Sequence, residues 1–271
     1  MSGHIRIERQ GAQARVILNH PGKFNAMSRA MWRELRDVFQ ALQREASLRC
    51  IVVGGEGGHF CAGGDISEYP AFRFSEAGLR DFHDNDVWGG LQAMLDCDVP
   101  IVAQIEGNCM GAGVEIASCC DIRIAEVSAH FGAPIAKLGF PMAPREAALV
   151  LREAGALTAR EMLLEAAVLT AEQMLQRGFL NRVVAAGEGA VAAASAAARI
   201  ASLAPQAARL NKQALRVLNS APVLDLQAPD APEAIANLLA QAYAYADSPE
   251  HREGISAFLE KRASNFSTSE T

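Results

Sequence analysis

Ile105-Glu106-Gly107-Asn108-Cys109-Met110-Gly111-Ala112-Gly113-Val114-Glu115 is the stretch of this chain whose residue types and spacing could do chemistry. An apolar run over residues 100–105 reads as a buried strand; it breaks at Gly107, and a small-residue turn opens an apolar helix towards Cys120. Small residues let a ligand approach the backbone closely. The first N–H groups of a helix have no intrahelical partner and lie at the positive end of its dipole, so they suit a developing negative charge. Glu115 follows Ala112 by three residues, on the same side of the first helical turn. A carboxylate beside an anion-binding N–H suits proton transfer next to a polarised carbonyl. The same residues also read as a plain glycine turn followed by an exposed first-turn glutamate that the dipole favours.

A second small-residue loop, Gly54-Gly55-Glu56-Gly57-Gly58-His59-Phe60-Cys61-Ala62-Gly63-Gly64-Asp65-Ile66, follows the strand-like run 50–53. Gly63-Gly64 again permits close backbone approach, and Asp65 reads as the cap of the next segment. Such loops are common turns. Neither GxGxxG with a downstream acid nor GxxxxGK[ST] is present, so the nucleotide-binding readings fail at the motif level.

The elements that must position these loops alternate. Residues 5–8 and 14–18 read as a strand hairpin, and Ser28 caps a helix to about residue 46 with Met31, Leu35, Val38 and Leu42 at helical spacing. After the strand at 50–53, a variable-looking stretch at 68–74 precedes a helix through Leu95. The strand 101–105, the helix after Gly111 and the strand 122–125 complete βαβ units, which imply a largely parallel sheet. From residue 143 onward the chain reads as mainly helical; 190–202 is alanine-rich but carries an apolar face. Residues 221–232 hold three prolines and read as a loop, and 264–271 as a frayed end.

The 271 residues, half of them hydrophobic, suffice for one large domain, or one with a small extension. A net charge of −6 argues against general nucleic-acid binding. No apolar run reaches membrane-span length, and the start has no signal-peptide core, so a cytoplasmic protein is expected. The six cysteines show no CxxC pair and read as reduced, mostly buried thiols, with Cys119-Cys120 in the core. The histidines lack metal-ligand spacing, so no metal is expected.

Together the loops resemble the crotonase, or enoyl-CoA hydratase/isomerase, family over most of the chain. The resemblance extends from Asn19-His20-Pro21 and Asn25-Ala26-Met27 through Phe60 to Ile66, Gly107 to Glu115, and Cys120-Asp121-Ile122-Arg123-Ile124-Ala125. It continues in Phe131-Gly132-Ala133-Pro134, Lys137-Leu138-Gly139-Phe140 and the run Glu253 to Arg262. It implies an α/β fold: a ββα spiral core over 1–200 and a C-terminal helical region over 201–271 that serves as lid or in assembly. It also implies a homo-oligomer, trimer or dimer of trimers. The ligand implied is an acyl-CoA thioester of the kind met in fatty-acid metabolism, with coenzyme A entering as part of the substrate and no permanently bound cofactor.

By position, the resemblance assigns the backbone N–H groups of Gly64 and Ala112 to an oxyanion hole for the thioester carbonyl, and makes Glu115 the first catalytic glutamate. Ala112 stands where a glycine is common, but keeps its N–H. It places CoA against Lys23, Asn25, Ala26, Ala62, Asp65 and Ile66, with Lys261 near the phosphates or simply solvated, and the acyl group near Ile135 and Tyr69. The main departure is Ile135, which directly follows Pro134 where hydratases carry their second glutamate. An isoleucine transfers no proton, so ordinary hydratase activity is in doubt. Other residues near these motifs offer no clear substitute: Glu146 reads as half of a surface salt bridge with Arg145, His59 as a cap or solvent-facing, Cys61 as packed and His130 as structural, while Tyr69, His83 and Asp86 lie in or near the stretch that the resemblance assigns to the acyl pocket. The leading expectation is hydration or isomerisation of an enoyl-CoA through Glu115. The alternatives are decarboxylation or hydrolysis of a CoA thioester, or a non-catalytic acyl-CoA binder.

Overall fold

The computed structural model describes residues 2–220 and 233–266. The expected hairpin forms β1 (His4–Gln10) and β2 (Gln13–Asn19), antiparallel with Ile5 opposite Leu18. Ser28 then caps α1 (Arg29–Gln43), its side chain accepting from the Met31 N–H. Met31, Trp32, Leu35, Phe39 and Leu42 recur on one face of α1 and are fully buried. Each such side chain contributes about 1.5–3 kcal/mol, which locks α1 over the sheet.

β3 (Cys50–Gly55) follows. The next helical stretch is one continuous rod: α2 (Glu76–Asp81), a widened π turn at Phe82–Val87, and α3 (Trp88–Asp96). β4 (Ile101–Ile105), β5 (Asn108–Met110), α4 (Ala112–Ser118), β6 (Ile122–Glu126) and β7 (His130–Gly132) come next. The larger sheet has the order β1-β2-β3-β4-β6, with β9 (Arg182–Val184) beside β6, and is parallel beyond the hairpin. Successive strand side chains alternate faces. Ile51, Val53, Ile101, Ala103 and Ile105 enter the main core, while Cys50, Val52, Val102 and Ile124 face the other way.

After β3, β4 and β6 in turn, the chain crosses to a second, smaller layer. There the backbone of Cys61 pairs parallel with that of Cys109, both thiols being free, and β5 pairs parallel with β7. Cys61, Cys109 and Phe131 stack in consecutive coils, all fully buried. Each coil places a strand in the large sheet; the small layer receives an isolated bridge from the first coil and the short strands β5 and β7 from the next two, which makes a spiral.

The C-terminal half is less purely helical than its sequence suggests. α5 (Pro144–Ala154) and α6 (Ala156–Leu164) are followed by β8 (Val168–Thr170), which joins the small sheet antiparallel to β7. α7 (Ala171–Gln176) then leads to β9 (Arg182–Val184), which completes the large sheet. Three-residue strands are too short to show a period, so they escape pattern reading. In α8 (Gly189–Ala201) the small Ala193, Ala196 and Ala197 lie flat against Val52, Val102 and Ile124. α9 (Pro205–Ser220) docks through cations: Arg209 donates to the Glu45 and Leu48 carbonyls, Lys212 to Val99 and Arg216 to Leu95. α10 (Glu233–Gln241) and α11 (Pro249–Leu259) close the described chain.

The loop reading for 221–232 and the frayed reading for 267–271 lie outside the described residues. Residues 264–266 are not frayed: the Asn265 N–H donates to Glu253 at 2.6 Å, and the Phe266 carbonyl accepts from Arg49. No helix among the described residues is long and apolar enough to cross a membrane.

Candidate active site

The two small-residue loops are stitched together by backbone. The Cys61 N–H donates to the Asn108 carbonyl and the Met110 N–H returns to the Cys61 carbonyl, each at 2.8 Å. On the other side Met27 donates to Gly63, and Asp65 donates to Met27, again at 2.8 Å. Both bonds pass over Gly64, whose own N–H has no partner among the described residues. Ala112 is the first residue of α4, so its N–H has no intrahelical acceptor. Gly111 turns the chain into the helix at φ +47°, a conformation that suits glycine, and a Cβ there would lie 3.7 Å from the Gly63 Cα. Gly64 and Ala112 thus reach one cavity of about 230 Å³.

Glu115 lines that cavity and is 8% exposed. The first-turn position reads from sequence as open to solvent; packing of the whole of α4 into the core removes it from water. Burial, and then the charge of Glu146, push the Glu115 carboxyl well above the usual glutamate range. Glu115 therefore retains a proton at pH values where an exposed glutamate has lost it.

Glu146 is not half of a surface salt bridge. It is 2% exposed, lines the same cavity, and lies 3.1 Å from His83 Nδ1. Arg145 instead lies over the Trp88 ring. The signal for Glu146 was its register: it shares the inward face of α5 with Leu149, Val150 and Ala154, so a carboxyl occupies an apolar position. His83 arrives from the π turn between α2 and α3, at a position that helical spacing does not specify.

Tyr69 and Ile135 both face the cavity. Asp65 caps the short 3₁₀ turn Ile66–Ala71 that carries Tyr69, its side chain accepting from the Ser67 N–H. The Tyr69 hydroxyl lies against Gly64, where a Cβ would approach it to 2.2 Å. Burial pushes the Tyr69 phenol up to about 12, so it remains a donor. Arg73 is the cavity residue that the sequence reading passed over. Its guanidinium lies 3.6 Å from the Phe140 ring centroid and 4.5 Å from that of Tyr69. It follows the 3₁₀ turn, where no sequence period predicts direction.

The residues expected to meet CoA are distributed unevenly. Ala62 and Ile66 line the cavity; Lys23, Asn25, Ala26, Asp65 and Lys261 do not. Lys23 Nζ pairs with Asp65 at 2.6 Å. The Asn25 side chain is committed to backbone, accepting from the His20 N–H and donating to the Glu56 and His59 carbonyls. The Ala26 carbonyl lies 2.6 Å from His20 Nδ1. Lys261 is exposed just after α11 at φ +55°. His59 is half-buried, stacks on Phe24 and accepts from the Asn108 N–H, so it clamps the loops rather than facing solvent. Asp86 is buried in ion pairs with Arg29 and Arg33, outside the cavity lining. Cys61, Cys119 and Cys120 are core residues, as expected, and His130 is exposed in β7.

The family model for enoyl-CoA hydratase/isomerase matches residues 8–269. The chain is 33% identical over 260 residues to 2,3-dehydroadipyl-CoA hydratase of Escherichia coli, covering 96% of this chain and 97% of that one. It is 29% identical over 186 residues to short-chain-enoyl-CoA hydratase of Clostridium acetobutylicum, covering 68% and 70% respectively. Its structure is similar to that of an enoyl-CoA hydratase/carnithine racemase from Magnetospirillum magneticum, with a TM-score of 0.89, 33% identity, and coverage of 98% and 96%. The spiral, the paired loops and the matched length agree: the chain belongs to the enoyl-CoA hydratase/isomerase family, with the crotonase fold.

Proposed function

We propose that this protein is an enzyme acting on a 2,3-unsaturated acyl-CoA thioester, with Glu115 and Glu146 as its paired carboxyl groups. The observation that carries this reading is the entry of Glu146 into the cavity that Glu115 and the free N–H groups of Gly64 and Ala112 already share. The thioester oxygen accepts from those two N–H groups, which favours negative charge on it as bonding changes at Cα or Cβ; one such donor is worth about 10²–10³ in rate. Hydration adds the hydroxyl of water at Cβ and a proton at Cα. It needs one carboxylate to take the proton from water and one carboxyl to deliver a proton to carbon, and the pair supplies both. Isomerisation uses the same machinery to move a proton between Cα and Cγ. CoA enters as part of the substrate.

Ile135, where hydratases carry their second glutamate, motivated the non-catalytic alternative. Glu146 weighs against it, because the cavity holds a second carboxyl on α5 instead of beside Pro134. The test is turnover on a panel of enoyl-CoA thioesters, followed by both product types. Glu115→Gln and Glu146→Gln are each expected to lower kcat by about 10²-fold or more, with acyl-CoA affinity nearly intact. Undiminished turnover in Glu146→Gln would refute the pair. Thioester cleavage or loss of CO₂ in place of water addition would establish one of the other reactions at the same hole.

A further inference from the structure

Arg73 brings a positive charge to a cavity that otherwise presents carboxyls, rings and aliphatic groups. It is half-buried, and among the described residues its side chain meets rings but has no hydrogen bond and no ion pair. Two rings hold it from different parts of the chain: Tyr69 from the 3₁₀ turn, and Phe140 from the segment that follows Gly139. Stacking uses the face of a guanidinium. Its N–H donors point outward in the plane, and remain free for an anion with two oxygens. An arginine placed so costs desolvation, which the ring contacts offset only in part.

We propose that Arg73 binds a carboxylate at the far end of the substrate's acyl chain, so that the protein acts on CoA thioesters of unsaturated dicarboxylic acids. The placement selects this anion over the phosphates of CoA. Tyr69 touches Gly64 with its hydroxyl and Arg73 with its ring, so the guanidinium lies one tyrosine ring away from the oxyanion-binding N–H. The phosphates lie at the opposite end of the long pantetheine arm from the thioester carbonyl. The acyl chain starts at that carbonyl and can span the short distance to Arg73. A bidentate arginine–carboxylate pair also orients the chain, which fixes Cα and Cβ relative to Glu115 and Glu146.

This inference rests on the CoA-thioester reading above, and its test separates the two. Titration calorimetry on the wild-type protein would compare two saturated six-carbon acyl-CoA ligands, one ending in methyl and one in carboxylate. The carboxylate-ended ligand is expected to bind about tenfold or more tightly, from hydrogen bonds to charged partners. Arg73→Met should abolish that preference while leaving affinity for the methyl-ended ligand within about threefold, and Arg73→Lys should retain part of it. Equal wild-type affinities would overturn the role of Arg73 and leave the CoA reading standing. A parallel loss for both ligands in Arg73→Met would assign the residue to CoA or to the cavity wall, and also overturn it. Binding of neither ligand would refute both readings. If Arg73→Met does not fold, the wild-type comparison and Arg73→Lys decide the matter.

Discussion

Glu115 and Glu146 reach one cavity from two helices, and the burial of Glu115 has a consequence for stability as well as for chemistry. Its carboxyl is raised above the ordinary value of 4.5, so the native state holds a proton that the unfolded chain releases. The unfolded state then binds fewer protons, and stability falls as pH rises from about 4.5 through the raised native value. Glu115→Gln removes this term. Its Tm should exceed that of wild type increasingly above pH 4.5, each kcal/mol appearing as about 2–4 °C in a protein of this size. Parallel Tm–pH curves would show that Glu115 is not held protonated. Gly64 offers a second test at this scale. Gly64→Ala would drive a methyl group against the Tyr69 hydroxyl, and that ring is braced by Phe72, Phe82 and Phe140. The variant should fold but lose about tenfold or more in turnover as the hole and ring shift. Tyr69→Phe in the same chain removes the oxygen that the methyl meets first, and should restore part of the loss. No restoration would place the damage in the loop backbone instead.

The rod formed by α2, the π turn and α3 is the element that brings His83 to Glu146. Asp86, inside that turn, accepts from Arg29 Nε at 2.5 Å and Arg33 Nε at 2.6 Å, and so ties the widened turn to α1. Asp86→Ala should cost about 1–3 kcal/mol, less than the roughly 3–5 kcal/mol of a fully buried pair, because Arg33 is half in water and Arg29 partly so. It should also lower turnover by releasing His83. Denaturant unfolding and kinetics together check this; a loss of stability with kcat unchanged would uncouple the turn from the site. The same rod marks where sequence reading stops. Its existence is legible from the apolar pattern up to Leu95, but a π turn changes the residue count per turn, so the directions of His83 and Asp86 are not. β3, β4 and β6 of the parallel sheet are legible because they are near-continuous apolar runs, whereas the three residues of β9 are not. The loops around Gly64 and Ala112 are legible because close backbone approach demands small residues there. Glu146 and Arg73 are not legible in the same way: a charged residue near a helix start or after a turn looks solvated until the packing around it is known.

At the scale of the whole molecule, α11 shows two apolar faces. Ala257 is buried against the rest of the chain, whereas Ile255, Phe258 and Leu259, spaced on the other side of the helix, are 54%, 81% and 73% exposed. Tyr243, just after α10, is 81% exposed as well. Apolar groups clustered on one outward face at i, i+3 and i+4 form the kind of patch that suits contact with another surface. We propose that further copies of the chain cover it, in the trimer or dimer of trimers that the family resemblance implies, with the region from α9 to α11 serving in assembly. Light scattering coupled to size exclusion should report a mass three or six times that of the 28.9 kDa chain. Phe258→Asp should shift the distribution towards monomer, because it sets a charge at the centre of the covered face, where an unpaired charge costs several kcal/mol. Its helix content should persist, since Phe258 is 81% exposed and makes little contact with the rest of the chain. A wild-type protein that is a stable monomer at micromolar concentration would leave this face without its partner, and would remove the argument for assembly through α11.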